Sequence, residues 1–143
     1  MKKTYTPSSK KLHKKWVHID ASSKILGKIA VEAANILMGK NKATFSAHMN
    51  LGDKVVVTNA KNVVLTGNKL KDKVYYHHTG YPGGLRSIKA GELLNKKPTE
   101  VLRKAISGML PKNKLHKVRM SNLHIYESEE HPHNAQLSVN AKS

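Results

Sequence analysis

The sequence contains no cysteine, which excludes disulfide bonds and thiolate metal sites and fits a reducing compartment. It has no apolar run near the ~18 residues that a membrane-spanning helix requires, and its N-terminus lacks the apolar core of a signal peptide. A polybasic contact with a membrane surface is disfavoured, because no predicted helix sets a Trp or Phe face opposite its lysines. We therefore expect a cytoplasmic protein with no membrane partner.

Acidic residues are also scarce, since the 143 residues include 9 Asp and Glu against 26 Lys and Arg, for a formal net charge of +17. An isolated copy would repel itself unless a polyanion neutralised it, which predicts a nucleic-acid partner and disfavours a homo-oligomer. The alternative is a soluble basic protein with a solvated surface. Such a surface normally intersperses acids, and the stretch from Val101 to Tyr126 has none.

The length suits one compact domain with two flanking segments. Residues 1–15 are rich in lysine and lack acids, so we expect a basic arm that becomes ordered on its partner. Residues 16–126 are predicted to form a single α/β domain. Residues 127–143 are polar and include Pro132, which predicts an irregular tail lying on that domain.

The first part of the domain has the pattern of a strand, a helix and a second strand. The run Trp16–Asp20 favours a strand, and Val55–Val57 favours a strand that is covered on both faces. Between them, apolar residues at helical spacing lead to Gly39, with Ser22 and Ser23 as expected helix caps. A parallel pairing with a right-handed crossover is strongly preferred for such a unit.

The second half adds further regular elements. A short extended piece is expected at Val63–Leu65, and a last strand at Asn122–Tyr126. Between them, Pro98 suits a first helical turn, and an apolar stripe continues until Pro111.

The segment from Lys69 to Arg86 mixes cations, aromatic rings and glycines, which is typical of RNA binding. Lysines neutralise phosphates, Tyr and His rings stack on bases or bond to sugar hydroxyls, and glycines allow close approach of backbones. The alternative is a Tyr-rich strand and a glycine turn within a core. Because side chains alternate along a strand, we expect one of Tyr75 and Tyr76 to face inward.

Other kinds of site are disfavoured. The glycines at 80–84 have neither the Lys-Ser or Lys-Thr of a phosphate loop nor the dinucleotide spacing. Two histidine pairs, His77-His78 and His131-Pro132-His133, could suggest a zinc site, because imidazole is a good zinc ligand. Adjacent residues on a strand point to opposite faces, however, and neither pair includes an acid. Ser107, which precedes Gly108, lies inside a helix pattern without the second glycine of a nucleophile turn. Asp20 ends the first predicted strand, where α/β folds often place functional groups, but a helix-entry cap is the commoner role of such an Asp.

A series of short motifs runs in order from about Trp16 to Gln136. They are Ile19-Asp20-Ala21, Leu26-Gly27-Lys28-Ile29-Ala30, Gly39-Lys40, Gly52-Asp53, Asn59-Ala60, Leu65-Thr66-Gly67-Asn68-Lys69, Tyr76-His77-His78-Thr79-Gly80-Tyr81-Pro82-Gly83-Gly84, Gly108-Met109-Leu110-Pro111-Lys112 and His131-Pro132-His133. Together they resemble the bacterial-type ribosomal protein L13 family. The glycine loop combined with Gly-Met-Leu-Pro is specific to that family.

The resemblance implies a three-layer α/β/α sandwich around a short, mostly parallel sheet of about four strands. It also implies binding to the 23S-type rRNA of the large ribosomal subunit, beside neighbouring large-subunit proteins, with a role early in assembly. One departure is Leu115-His116-Lys117, where the family usually has Leu-Gly-Arg. The chain thereby lacks a glycine and has a point charge in place of an arginine fork.

Our candidate RNA-binding residues combine the matched segments with the arm and the histidines. They are Lys10, Lys11, Lys14, Lys15, Lys40, Lys42, His48, Lys69, Lys71, Lys73, Tyr76, His77, His78, Tyr81, Gly83, Gly84, Arg86, Lys112, Lys114, Lys117, Arg119, His131 and His133. We expect no catalytic, cofactor or metal site and no small-molecule substrate. Two alternatives stay open: a nucleotide-using enzyme on the same scaffold, and a regulator that binds its own mRNA as an rRNA mimic.

Overall fold

The computed structural model describes residues 6–8 and 13–140, so the predicted arm contacts Lys10 and Lys11 lie outside the described residues. The described chain forms five strands and six α-helices. In chain order they are β1 (Trp16–Asp20), α1 (Leu26–Met38), β2 (Lys54–Thr58), α2 (Lys69–Asp72), β3 (Val74–His78), β4 (Leu85–Lys89), α3 (Ala90–Lys96), α4 (Pro98–Met109), α5 (Leu115–Ser121), β5 (Leu123–Ile125) and α6 (Asn134–Asn140).

The central sheet is parallel and has β2 between β1 and β5, with Val57 opposite both Ile19 and Ile125. The predicted α/β class is confirmed, and so is the parallel pairing of the two strands that α1 connects. The sheet has three strands, while β3 and β4 form a separate antiparallel hairpin. The expected extended piece at 63–65 contributes a single parallel bridge between Val64 and Ile25.

Helix α1 ends where the sequence predicts. Its apolar stripe, which includes Ile29, Ala33 and Leu37, packs in the core with residues of α4 and the sheet. The helix stops at Met38 because Gly39 adopts a left-handed conformation, with φ at 76°, that residues with a Cβ atom rarely take.

The start of α1 differs from the prediction, and Ser22 and Ser23 as helix caps are wrong. The residue before the helix is Ile25, which makes no side-chain cap bond. Ser22 instead donates through its N–H and its hydroxyl to the carboxylate of Asp20, at 3.0 and 2.8 Å. The side-chain amide of Asn59 donates to the same oxygen at 2.8 Å. The Asn59 bond, followed by those from Ser22, lowers the pKa of Asp20 to about 2, because all of them favour the charged form.

The two faces of the sheet are covered by different residues. Ile19, Val55 and Val57 belong to the apolar core shared with α1 and α4. Side chains alternate along a strand, so His18 and Val56 point to the other face. The C-terminal segment covers that face, where the ring of His131 lies 5.8 Å from that of His18. This segment supplies the third layer, and its cover on that face explains why Val56 is as fully buried as Val55 and Val57 on the core face.

Within the described residues, the chain after β5 lies against the sheet through these rings. Its last described part, however, is the seven-residue helix α6 rather than irregular chain. That helix lies beside β1.

Candidate nucleic-acid interface

The β3–β4 hairpin extends from the domain and exposes aromatic and basic side chains. His77 pairs with Arg86 across its two strands. Tyr76 is 64% exposed and Tyr81, at the tip, is 76% exposed. Tyr75 is half-buried, which confirms that one of the two adjacent tyrosines faces inward. The hairpin thus presents rings and cations to solvent, where bases and phosphates can reach them.

Glycines fix the shape of the hairpin tip. Gly80 and Gly83 have φ values of 88° and 68°, in the left-handed region that favours glycine. The Gly80 N–H donates to Nδ1 of His78 at 2.9 Å. At Gly84, a Cβ atom would lie 2.1 Å from Oγ1 of Thr79. The predicted contacts Gly83 and Gly84 therefore shape the loop that holds Tyr81 in solvent.

The base of the hairpin is joined to α4 through Tyr75. The ammonium groups of Lys104 and Lys73 lie 4.9 and 5.4 Å from the centre of the Tyr75 ring, which is cation–π geometry. Burial raises the pKa of the Tyr75 hydroxyl above its usual value, so the phenol stays neutral at physiological pH.

The loop between α1 and β2 is held by an ion pair. Lys42 donates to the buried carboxylate of Asp53 and, at 2.9 Å, to the carbonyl of Leu51. The same carboxylate accepts the Lys15 backbone N–H at 2.9 Å. Lys42 was predicted to contact RNA, yet its ammonium points inward, and its role here is to fix the loop that carries exposed Lys40.

After α4 the chain turns at Pro111 and enters α5. Nε2 of His116 lies 3.2 Å from both the hydroxyl and the carbonyl oxygen of Ser107, so this residue attaches α5 to the end of α4. The departure from the family pattern at His116 is thus a structural contact between two helices. Lys112, Lys114 and Lys117 are exposed along this segment.

The C-terminal end of α4 connects these parts. One cavity beside it is lined by Lys69, Lys73 and Lys104. Another is lined by Lys104 together with Lys112 and Lys117. A third lies between the end of α4 and Lys40 of the loop after α1. We call the resulting face the basic surface, made of the β3–β4 hairpin, the 39–50 loop, the end of α4 and residues 110–117.

The basic surface draws on chain segments that contain no acid. Residues 33–52, 73–91 and 101–126 include neither Asp nor Glu. Within these segments no acid alternates with the lysines, as it would on an ordinary mixed-charge surface, although Asp53 from outside them pairs with Lys42.

Most predicted contacts fall on the basic surface. They are Lys40, His48, Tyr76, His77, His78, Tyr81, Gly83, Gly84, Arg86, Lys112, Lys114 and Lys117. Lys69, Lys71 and Lys73 lie beside that surface, on α2 and just after it, where exposed Asp72 separates Lys71 from Lys73 in the chain. Lys14 and Lys15 are exposed just before β1. Arg119 differs from all of these, because its side chain is buried at 2% exposure rather than offered on the open surface.

His131 and His133 lie elsewhere, in what we call the histidine cluster: Trp16, His18, His124, Tyr126, His131 and His133. The ring of Trp16 is stacked with that of His133 at 4.8 Å and with that of His124 at 5.4 Å, and the two histidine rings lie 4.8 Å from each other. Nε2 of His133 is hydrogen-bonded to the Tyr126 hydroxyl at 2.8 Å. Burial, reinforced by neighbouring His and Lys charges, lowers the pKa of both His124 and His133, so both favour the neutral form. These histidines hold the C-terminal segment on the sheet.

Sequence inspection missed two members of the basic surface. Lys104 lies within the apolar stripe pattern of α4, and only its place in the acid-free stretch after Glu100 could have indicated it. Phe45, the one phenylalanine of the chain, is 40% exposed in the loop after α1. No local pattern marks that exposure.

Residues 6–8 and 13–140 contain neither a cluster of potential metal ligands nor a membrane-spanning helix. Across these ranges, no group of three or more His, Cys, Asp or Glu side chains is placed to hold a metal ion. No helix within the same ranges is long and apolar enough to cross a membrane.

A compact α/β domain with an extended, acid-free cationic face has the features of a nucleic-acid-binding protein. Residues 14–132 match the family model described as ribosomal protein L13. The chain is 51% identical over 136 residues to the large ribosomal subunit protein uL13 of Geobacter sulfurreducens, covering 95% of each chain. It is 49% identical over 136 residues to that of Rhodococcus jostii, covering 95% of this chain and 92% of the relative. The chain belongs to the ribosomal protein L13 family.

Proposed function

We propose that this protein is a structural constituent of the large ribosomal subunit that binds and organises its rRNA. The family and the names of the relatives support this place in the ribosome, and therefore in the cytoplasm. The observation that carries RNA binding is the basic surface, where exposed lysines and tyrosine rings occur together without an intervening acid.

The mechanism is electrostatic and geometric. Lysines and Arg86 neutralise phosphates of neighbouring rRNA segments and so reduce the repulsion that opposes their packing. The exposed rings of Tyr76 and Tyr81 supply stacking faces for unpaired bases. The hairpin, the 39–50 loop and the end of α4 fix the relative positions of these groups. We assign the chain no catalytic step, and we expect it to act early in assembly, with neighbouring large-subunit proteins bound at its other faces.

Salt dependence tests this mechanism directly. If ~6–10 phosphates are engaged, the affinity of the full chain for a large-subunit rRNA fragment falls by roughly 10³–10⁵ between 50 and 200 mM salt. A flat response would contradict the proposal. Nucleotide binding that survives high salt would instead favour the enzyme alternative.

A matched charge control separates the basic surface from net charge. Lys112→Ala with Lys117→Ala removes two exposed cations of the basic surface, and the slope of log affinity against log salt is expected to fall by about two. Lys61→Ala with Lys97→Ala also removes two cations, but from residues that pair with Glu127 and Glu100. The control pair should bind rRNA nearly as the wild type does. Equal losses in both variants would show that only overall charge matters.

A regulatory role is a further part of the proposal. The same surface would accept a segment of the protein's own mRNA folded like its rRNA site. Competition between the two RNAs for the wild-type chain tests this, since shared use of the surface requires each RNA to displace the other.

A further inference from the structure

A cavity of about 420 Å³ lies within the basic surface, between the loop after α1 and the segment after α4. Its walls are largely apolar and include Met38, Phe45 and Leu110. Phe45 and Met109, which also lines it, are 40% and 46% exposed, so their side chains meet solvent at its edge. A concave, mostly apolar site of this size with a few polar groups is typical of a small-ligand pocket.

Arg119 lines the same cavity, and its charge is not balanced by an acid within the part of the chain that the structure describes. Its side chain is 2% exposed, and within residues 6–8 and 13–140 it forms no ion pair and its Nε atom has no hydrogen-bond acceptor. A buried charge without a counter-charge is strongly unfavourable, and a buried donor without an acceptor adds to the cost. Burial lowers the pKa of the guanidinium, which nevertheless stays charged near neutral pH. An anion in the cavity would supply both the missing counter-charge and an acceptor for Nε.

The other polar groups of the cavity suit an anion as well. Lys40 lies on its wall, and no acid does. Asn113 accepts the Leu115 backbone N–H at 3.1 Å through its side-chain oxygen, so its NH₂ group is oriented as a further donor. The ion pair between Lys42 and Asp53 holds the loop that forms one wall, and the site is therefore formed before any ligand binds.

We propose that this cavity binds a single unstacked nucleotide of the RNA partner, its base against Phe45 and Leu110 and its phosphate facing Arg119 and Lys40. The inference rests on the proposed function and refines it. A nucleotide joins an apolar ring to an anionic phosphate, which matches an apolar wall beside unpaired cations. An acidic protein segment would satisfy Arg119, yet it would leave the exposed ring of Phe45 without a stacking partner.

Two variants test the two halves of the site in the full chain bound to the rRNA fragment. Phe45→Ala is expected to weaken binding about tenfold with an unchanged salt slope, because a stacking contact is lost and no phosphate contact is. Arg119→Met, which keeps the bulk of the buried chain, is expected to weaken binding and to lower the salt slope by about one. Because both groups hold one nucleotide, the double variant should lose less than the product of the two single effects.

Two further variants serve as controls for the nucleotide pocket. Phe45→Tyr keeps the ring and should bind as the wild type does. Should Arg119→Met fail to fold, Lys40→Ala at the exposed wall replaces it and is expected to lower the salt slope in the same way. If the wild type shows a steep salt slope, but Phe45→Ala and the cation variant keep its affinity and slope, the nucleotide pocket is contradicted and the proposed function is not. A flat wild-type slope would overturn the proposed function itself.

Discussion

The basic surface and the histidine cluster use the same residue type for different purposes. On the basic surface His77 and His78 are exposed on the β3–β4 hairpin, next to lysines and tyrosines. In the cluster His124 and His133 are partly buried and stack on Trp16. Glu129 and Glu130 line a cavity beside the cluster, whereas acids are absent from the segments that form the basic surface. Surroundings, rather than residue type, therefore distinguish the proposed RNA-binding surface from the cluster that holds the C-terminal segment on the sheet.

The largest expected effect is a loss of RNA affinity when cations and rings at the β3–β4 hairpin are removed. Replacing Lys71, Lys73, His77 and His78 together by Ala is expected to weaken rRNA binding about 100-fold, because two phosphate-neutralising charges and two stacking rings are lost. All four side chains are exposed, so the domain should stay folded by circular dichroism. Unchanged affinity in a folded variant would show that RNA binds elsewhere.

The second largest expected effect is a loss of unfolding free energy when the histidine cluster is altered. His133→Ala removes a ring stacked 4.8 Å from Trp16 and a 2.8 Å bond to Tyr126, and we expect a loss of about 2 kcal/mol in unfolding free energy. The matched variant His77→Ala, at an exposed position, should change that free energy by less than about 0.5 kcal/mol. Denaturant titrations measure both. Equal stabilities would mean that the C-terminal segment is not held by these rings.

A smaller effect concerns the shape of the hairpin tip. A Cβ atom at Gly83 or at Gly27 would meet nothing within 4 Å, but only Gly83 has a positive φ, at 68°. Gly83→Ala is therefore expected to cost about 1 kcal/mol and to reduce RNA affinity, while Gly27→Ala in α1 should be neutral or stabilising. If Gly83→Ala changes neither the free energy of unfolding nor the RNA affinity, the hairpin tip can adopt another backbone conformation without cost, and the prediction is wrong.

The smallest expected effect is on pH dependence. His124 and His133 have lowered pKa values in the folded state, so the unfolded chain takes up protons first as the pH falls below the free histidine value of about 6.5. The contribution of these histidines to the free energy of unfolding is present above that pH and is lost as the pH falls toward their folded-state pKa values. Denaturant midpoints followed by fluorescence of Trp16, the only tryptophan, should decrease between pH 7.5 and 5.5.

A ring-preserving variant isolates the source of that decrease. In His133→Phe the stacked ring is kept and the titrating group is removed, so the midpoint should depend less on pH than in the wild type. The neighbouring charges of His131 and Lys54 remain in both proteins. An unchanged pH dependence would assign the effect to other groups.

Much of the fold could be predicted because its signals are local. Helical spacing and Gly39 defined the end of α1, and the valine run of β2 indicated a strand covered on both faces. The helix caps were wrong because Ser22 bonds to Asp20 instead. The helix α6 was missed because its polar sequence has no apolar stripe, and the rings that hold the tail come from distant parts of the chain.

The candidate site was predictable in its composition but less so in its geometry. The acid-free segments indicated which stretches of chain would form it. The burial of Arg119 depends on the packing of α5, which no local pattern encodes. Likewise, Lys42 pairs with an acid eleven positions away, Asp53, and only the folded loop brings them together.

A density map of the assembled large subunit tests the central claim most directly. We expect rRNA phosphates within hydrogen-bonding distance of Arg86, Lys112 and Lys117, and no RNA stacked on the rings of the histidine cluster. Solvent or protein against the whole basic surface, with rRNA on the histidine cluster instead, would contradict it.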